Sequence, residues 1–226
     1  MFHLYGLIVG IGVVAGWSVA ERIEPRVNKV LPWVLGLGII GARLYHVIDK
    51  WSYYSQHLGQ VMAVWNGGLG IFGGIVGGIV GLLIAYYTIK PLNNLWSILG
   101  AIVTGLPLGQ AIGRWGNLAN NELWGIRHEP LFLYESILDL ILFGILWKLS
   151  SRAKSRDPST TVGMTRLGIY LAGYGLIRLI LEPFKPNPWI FGYYVAGSMV
   201  LSGLILALYK YTPIGYAGKH GRPNPQ

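Results

Sequence analysis

The sequence predicts an all-α integral membrane protein with seven transmembrane helices, its N-terminus outside and its C-terminus in the cytoplasm. Three observations carry this. First, 53% of the 226 residues are hydrophobic and only 12% are charged, with a mean hydropathy of +0.48; soluble domains carry about twice that charged fraction. Second, seven apolar runs can be marked, at roughly 4–20, 31–48, 68–88, 93–112, 131–149, 163–181 and 191–209. Most reach the ~20 residues that span a bilayer as helix, and the first two lie near the lower limit. Third, lysine and arginine fall unevenly on the two sides of those runs.

The first run is not expected to be a cleaved signal peptide. It lacks a basic leading segment, and Glu21-Arg22-Ile23-Glu24-Pro25 follows it instead of a small-residue cleavage site. The connection to the second run holds Arg22, Arg26 and Lys29, the turn after the third holds Lys90, and the fifth-to-sixth connection holds Lys148, Arg152, Lys154, Arg156 and Arg166. The tail adds Lys210, Lys219 and Arg222, making twelve on one side; Lys50, Arg114, Arg127 and Lys185 make four on the other. The positive-inside rule puts the twelve in the cytoplasm, and an odd number of spans agrees with termini on opposite sides. Segment 49–67, with Trp51, Tyr53, Tyr54 and Trp65, suits the membrane interface. In the third run Gly73, Gly77 and Gly81 share one helical face and Gly70, Gly74 and Gly78 another, a pattern of small residues that lets helices approach closely. A cleft for a lipid chain is the minority reading of the same face. No connection is long enough for a soluble domain, so one membrane domain over 1–226 is expected.

Composition also excludes some chemistry. There is no cysteine among the 226 residues, hence no disulfide, no thiolate metal ligand and no cysteine nucleophile on the protein. The net charge of +9 fits cytoplasmic loops and anionic headgroups rather than nucleic acid. The sequence contains no His-x-x-x-His, no Gly-x-Ser-x-Gly and no Walker loop, and no metal or cofactor is expected.

Polar chemistry is concentrated in Gly113-Arg114-Trp115-Gly116-Asn117-Leu118-Ala119-Asn120-Asn121-Glu122-Leu123-Trp124-Gly125. Arg114 offers a planar fork of donors that matches a phosphate, and Asn117 and Asn120 both donate and accept. From residue types alone, an interfacial loop with snorkelling charges fits equally well. Arginine inside an apolar run faces a partner, a cavity or a lipid phosphate, which singles out Arg43 and Arg178. Tyr174, Arg178 and Glu182 lie at i, i+4 and i+8 on one helical face, as a site or as a structural ion pair. Glu135 fits a first-turn acid at a helix N-terminus, with Asp139 one turn on. His128 precedes the fifth run at the interface, and Tyr5 fits an aromatic belt.

The pattern Gly-Arg-x-Gly-Asn-x-x-Asn-x-Glu-Leu-x-Gly resembles the signature of the prolipoprotein diacylglyceryl transferases. The resemblance runs from Tyr5 to Glu182 through Tyr5-Gly6, Gly41-Ala42-Arg43, Trp65-Asn66-Gly67-Gly68, the 113–125 stretch, Pro130-x-x-Leu133-Tyr134-Glu135, and Tyr174-Gly175 with Arg178 and Glu182. It implies a bacterial inner-membrane enzyme, with a site toward the outer leaflet, that moves diacylglycerol from phosphatidylglycerol to the lipobox cysteine in a prolipoprotein signal peptide. A thioether forms and glycerol phosphate leaves. By position, it implies that Arg114 and Asn117 bind the lipid headgroup and that Tyr5, Arg178 and Glu182 line the reaction site. Asn120, Glu122 and Gly125 support it, and Tyr174 and Arg43 contribute to substrate binding. Two positions depart from the pattern: Phe72 stands where some members carry a candidate histidine base, and Leu131 where a small hydroxyl residue is common. The alternative function is a small transporter or lipid-binding membrane protein whose arginines pair with an anion.

Overall fold

The computed structural model describes residues 4–89, 94–153 and 160–208. Lys90, Lys154, Arg156, Lys210, Lys219 and Arg222, which enter the charge count above, lie outside the described residues. The described residues form eight α-helices: α1 Leu4–Ile23, α2 Val27–Asp49, α3 Trp51–Tyr54, α4 Ile71–Thr88, α5 Leu95–Ala119, α6 Leu131–Ala153, α7 Thr160–Leu181 and α8 Ile190–Leu208. Short 3₁₀ turns lie at Leu58–Gln60, Val64–Asn66 and Glu182–Phe184, and one isolated bridge pairs Trp124 with Pro130.

Six of these helices are long and apolar enough to cross a membrane: α1, α2, α4, α5, α7 with its 3₁₀ extension, and α8. Helix α6 has the length, at 23 residues, but carries Glu135, Asp139 and Lys148. Seven apolar runs were expected, and the fifth is the one whose charges set it apart.

The helices gather into two compact units, residues 26–93 and residues 1–25 with 94–226. In the smaller unit α2 and α4 run antiparallel, with Gly41 against Gly73 and Gly77, Leu37 against Gly77, and Trp33 against Gly81. A Cβ at Gly73 or Gly77 would collide with the Gly41 or Leu37 carbonyl. The Gly73, Gly77 and Gly81 face seen in the sequence therefore serves backbone contact, the packing expected where lipid removes the hydrophobic drive between helices.

The larger unit uses the same device. Gly12 meets Gly109 and Gly16 meets Gly105 across α1 and α5, and Gly168 meets Gly203 across α7 and α8. Filling such a contact costs about 1–3 kcal/mol through forced displacement. Cross-helix partners fix the directions. Ser136 Oγ on α6 donates to the Ala111 carbonyl on α5 at 2.9 Å, while Gln110 and Arg114 on α5 pair with Tyr170 and Tyr174 on α7. Helices α5 and α7 are thus parallel to each other and antiparallel to α6. The C-terminal ends of α5 and α7 meet the N-terminal ends of α1 and α6 at one end of the unit.

Candidate functional site at the end of the larger unit

Helix α5 does not stop where its apolar run stops. It continues through Arg114 and Asn117 to Ala119, and Asn120 and Asn121 then close it by bonding back to the Gly116 and Leu118 carbonyls. The first half of the polar stretch, 113–119, is therefore helix rather than loop, which puts Arg114 one turn beyond Gln110 on the face turned toward α6 and α7.

Glu135 is the hub of the site. It lies one turn inside α6, not in its first turn, and is 1% exposed. Its Oε1 accepts from Arg114 Nη2 at 2.5 Å and meets Arg178 Nη1 at 3.5 Å. Arg178 Nη2 donates to Glu182 Oε2 at 2.9 Å, and Lys185 Nζ donates to the same oxygen at 2.7 Å. The other oxygen of Glu182 accepts the Trp189 backbone N–H at 3.0 Å. Arg114, Glu135, Arg178, Glu182 and Lys185 thus form one ladder of alternating charge that begins and ends on a cation. Such pairs are retained at depth only where hydrogen bonds hold both partners.

A second layer backs the ladder. The Tyr174 hydroxyl accepts from Arg114 Nη2 at 3.3 Å, its ring stacks on Tyr170 with centroids 5.9 Å apart, and Gln110 Nε2 donates to the Tyr170 hydroxyl at 3.1 Å. Arg114 Nε, Gln110 Oε1 and both carboxyl oxygens of Asp139 are buried with no partner among the described residues.

Segment 120–130 folds over this end as a tight turn. Asn121, Leu123 and His128 all have positive φ, at 55°, 63° and 60°, strained for leucine above all. The turn is held by Gly125 N–H to the Glu129 carbonyl at 2.8 Å, by Arg127 N–H to Glu129 Oε2 at 2.8 Å, and by Ile126 N–H to the Phe184 carbonyl at 2.9 Å. Gly125 is buried, and a Cβ there would collide with the Glu129 carboxylate. This is a packing reason for glycine within the signature.

The residues singled out in the sequence are placed as follows. Arg114 bonds Tyr174 and Arg178 bonds Glu182, and Glu135 joins the two pairs. Tyr5 reaches the same end, its ring lying over Gly116. Asn117 follows Arg114 on α5, and its carbonyl accepts the Glu122 N–H at 2.7 Å; Asn120 Nδ2 reaches Glu122 Oε1 at 3.4 Å at the exposed edge. Arg43 belongs to the smaller unit. Its guanidinium donates to the carbonyls of Gln60, Val61, Gly67 and Gly68 at 2.6, 2.8, 2.6 and 3.2 Å, with Tyr54 beneath it at 5.2 Å. Positive φ at Gly67 (81°) and Gly68 (70°) turns that backbone toward it. Arg43 is thus committed to fixing segment 60–68. Phe72 lies in the first turn of α4, 6.0 Å from Tyr45.

Sequence reasoning undervalued Glu135, counted Lys185 only as a charge, and passed over Gln110 and Tyr170. One signal was present: α5, α6 and α7 each carry polar residues four apart within an apolar run, at 110/114, 135/139 and 170/174/178, which stacks each set on one face.

The six apolar helices mark a multi-pass helical membrane protein with a cationic site at one end of its larger unit. Residues 1–210 match the family described as prolipoprotein diacylglyceryl transferase, and the chain belongs to that family. Curated relatives named phosphatidylglycerol–prolipoprotein diacylglyceryl transferase include one from Finegoldia magna, 32% identical, with 90% of this chain and 87% of the relative covered. Others come from Streptococcus uberis, at 34% with 84% and 81% covered, and from Nostoc sp., at 33% with 90% and 82% covered.

Proposed function

We propose that this protein transfers the diacylglyceryl group of phosphatidylglycerol to the lipobox cysteine of prolipoproteins, forming a thioether and releasing glycerol phosphate. The observation that carries the reading is the Arg114–Glu135–Arg178–Glu182–Lys185 ladder, built on the residues that match the family pattern. Three cations and two anions leave an excess positive charge, the complement of a phosphodiester and of the greater charge that develops as the phosphate departs. Both hydrogen bonds that Arg114 makes to the described residues run through Nη2, which leaves Nη1 as a donor for the headgroup. Asn117 and Tyr5 flank it, Tyr174 orients Arg114, and Glu182 anchors Arg178. Asn120, Glu122 and Gly125 shape the turn above, and Arg43 supports binding by fixing segment 60–68. No observation favours a transporter.

The reading places α6 as the seventh crossing. Its length suffices, and Glu135 and Asp139 turn into the protein rather than toward lipid. It also places the ladder at the outer leaflet of the bacterial cytoplasmic membrane. Two single-cysteine variants of this cysteine-free chain, Ser55→Cys and Ser155→Cys, are expected to react with a membrane-impermeant thiol reagent from opposite sides. Reaction of both from outside the cell would place the ladder on the wrong face.

The activity itself is tested with purified protein, vesicles and a lipobox peptide followed by mass. The peptide is expected to gain a diacylglyceryl mass with phosphatidylglycerol vesicles and not with phosphatidylethanolamine vesicles. No gain with either lipid would overturn the reading.

A further inference from the structure

The end of the larger unit opposite the ladder buries an arginine that the proposed reaction does not use. Arg166, in the second turn of α7, is 6% exposed, and its Nε is buried without a partner. Its guanidinium makes no hydrogen bond or ion pair with any described residue. About 18 Å of helix separates it from Arg178. Two glycines make its niche: Gly163 packs on the Trp96 carbonyl of α5, and a Cβ at Gly100 would lie 3.4 Å from Arg166 Cδ. Side chains lean toward the N-terminus of their helix, so Arg166 points along the first turns of α7 and of the parallel α5. On the antiparallel α6, Leu142 faces Gly173 and Leu146 packs with Tyr170. One turn further brings the buried Ser150 level with Arg166.

Nothing described on these three helices balances the charge. Helices α5 and α7 carry no acid. The acids of α6, Glu135 and Asp139, lie toward the ladder, and Asp139 is about 16 Å along the helix from Ser150. Glu24, just past the end of α1, accepts from Ser97 Oγ at 2.9 Å and forms no ion pair with Arg166. The N-terminal ends of α5 and α7 add partial positive charge at the same level. A lysine placed there could shed its proton, but an arginine cannot. Burying a cation without a counter-charge is costly, so the place calls for an anion.

We propose that Arg166 binds the phosphate group of an anionic phospholipid from the leaflet opposite the ladder, with the Ser150 hydroxyl as a second donor. Trp96 on α5 and Trp147 on α6 flank this level, and tryptophans gather at the headgroup zone of a bilayer. Lipid phosphate is the abundant anion of that zone, and the guanidinium fork matches it. With no acid on these helices beside Arg166, the ammonium of a zwitterionic headgroup gains nothing here, which selects an anionic lipid. A lipid held there ties together the three helices that carry Arg114, Glu135 and Arg178 toward their other ends.

The test counts the phosphatidylglycerol retained by the purified full-length protein in detergent, by native mass spectrometry. Wild type is expected to hold a lipid that Arg166→Gln and Arg166→Met lose, a fall in affinity of about 10- to 100-fold, the scale of a hydrogen bond to a charged group. Phosphatidylethanolamine is expected not to replace that lipid, and inorganic phosphate not to displace it. Arg114→Lys is expected to keep it, which separates it from a lipid at the ladder. Transfer to a lipobox peptide at saturating phosphatidylglycerol is expected to change by less than about twofold in Arg166→Gln. Equal retention by wild type and either folded variant overturns the proposal, as does inorganic phosphate bound in place of the lipid. Should neither Arg166 variant fold, Arg114→Lys decides, because loss of all bound phosphatidylglycerol from it overturns the proposal. Failure of the wild type to transfer sinks the transferase reading and leaves the lipid count untouched.

Discussion

Arg114→Ala is expected to reduce transfer by about 1,000-fold, the scale for removing a donor that meets charge developing in the transition state. The side chain has two duties. Its Nη2 binds Glu135 and Tyr174, and its Nη1 remains for the phosphate. Among the described residues, removing it also leaves Glu135 with only the longer 3.5 Å contact to Arg178. Unpairing a buried carboxylate in this way costs about 3–5 kcal/mol, so the variant is also expected to melt earlier in detergent. Arg114→Lys separates the two duties. Lysine restores a cation beside Glu135 and hence most of the stability, but it is a point charge without a fork. Its transfer rate is expected to stay about 100-fold low. Wild-type turnover by the lysine variant would reduce Arg114 to a snorkelling charge.

Arg178→Gln is expected to cost as much, for a different reason. Among the described residues Arg178 alone bridges the two acids of the ladder, Glu135 and Glu182. Its positive charge favours the attacking thiolate and the departing phosphate alike. Without it the thiol titrates nearer its free value of about 8.5, so the rate profile of the glutamine variant is expected to move to higher pH. Phe72→His is expected to gain far less than Arg178→Gln loses. Near-wild-type rates for Arg178→Gln, together with loss of the acidic limb in His128→Ala or Glu182→Gln, would make one of those residues the base.

The helices were legible because lipid demands length and apolarity, both of which are local properties. The charges were legible as unusual but not as partners. Arg178 and Glu182 lie four apart, so their pairing showed in the spacing. Glu135 joins arginines 21 and 43 positions away in sequence, and its place in the chain suggested only a helix start. Arg43 obeyed the rule that a membrane arginine finds partners, but those partners are backbone carbonyls, which no residue type announces. The end of α5 was misplaced for a similar reason. Arg114 and Asn117 looked like the start of a loop because their polarity ended the apolar run, whereas their own protein partners make helix affordable there.

The most direct measurement follows both products of a single reaction. Purified protein is incubated with phosphatidylglycerol and a lipobox peptide, and the diacylglyceryl peptide and free glycerol phosphate are quantified together. One glycerol phosphate per modified peptide, with neither product from a peptide whose cysteine is replaced by serine, is the expected result. Peptide modification without glycerol phosphate, or glycerol phosphate at the full rate from the serine peptide, would contradict transfer to the thiol at the Arg114–Arg178 site.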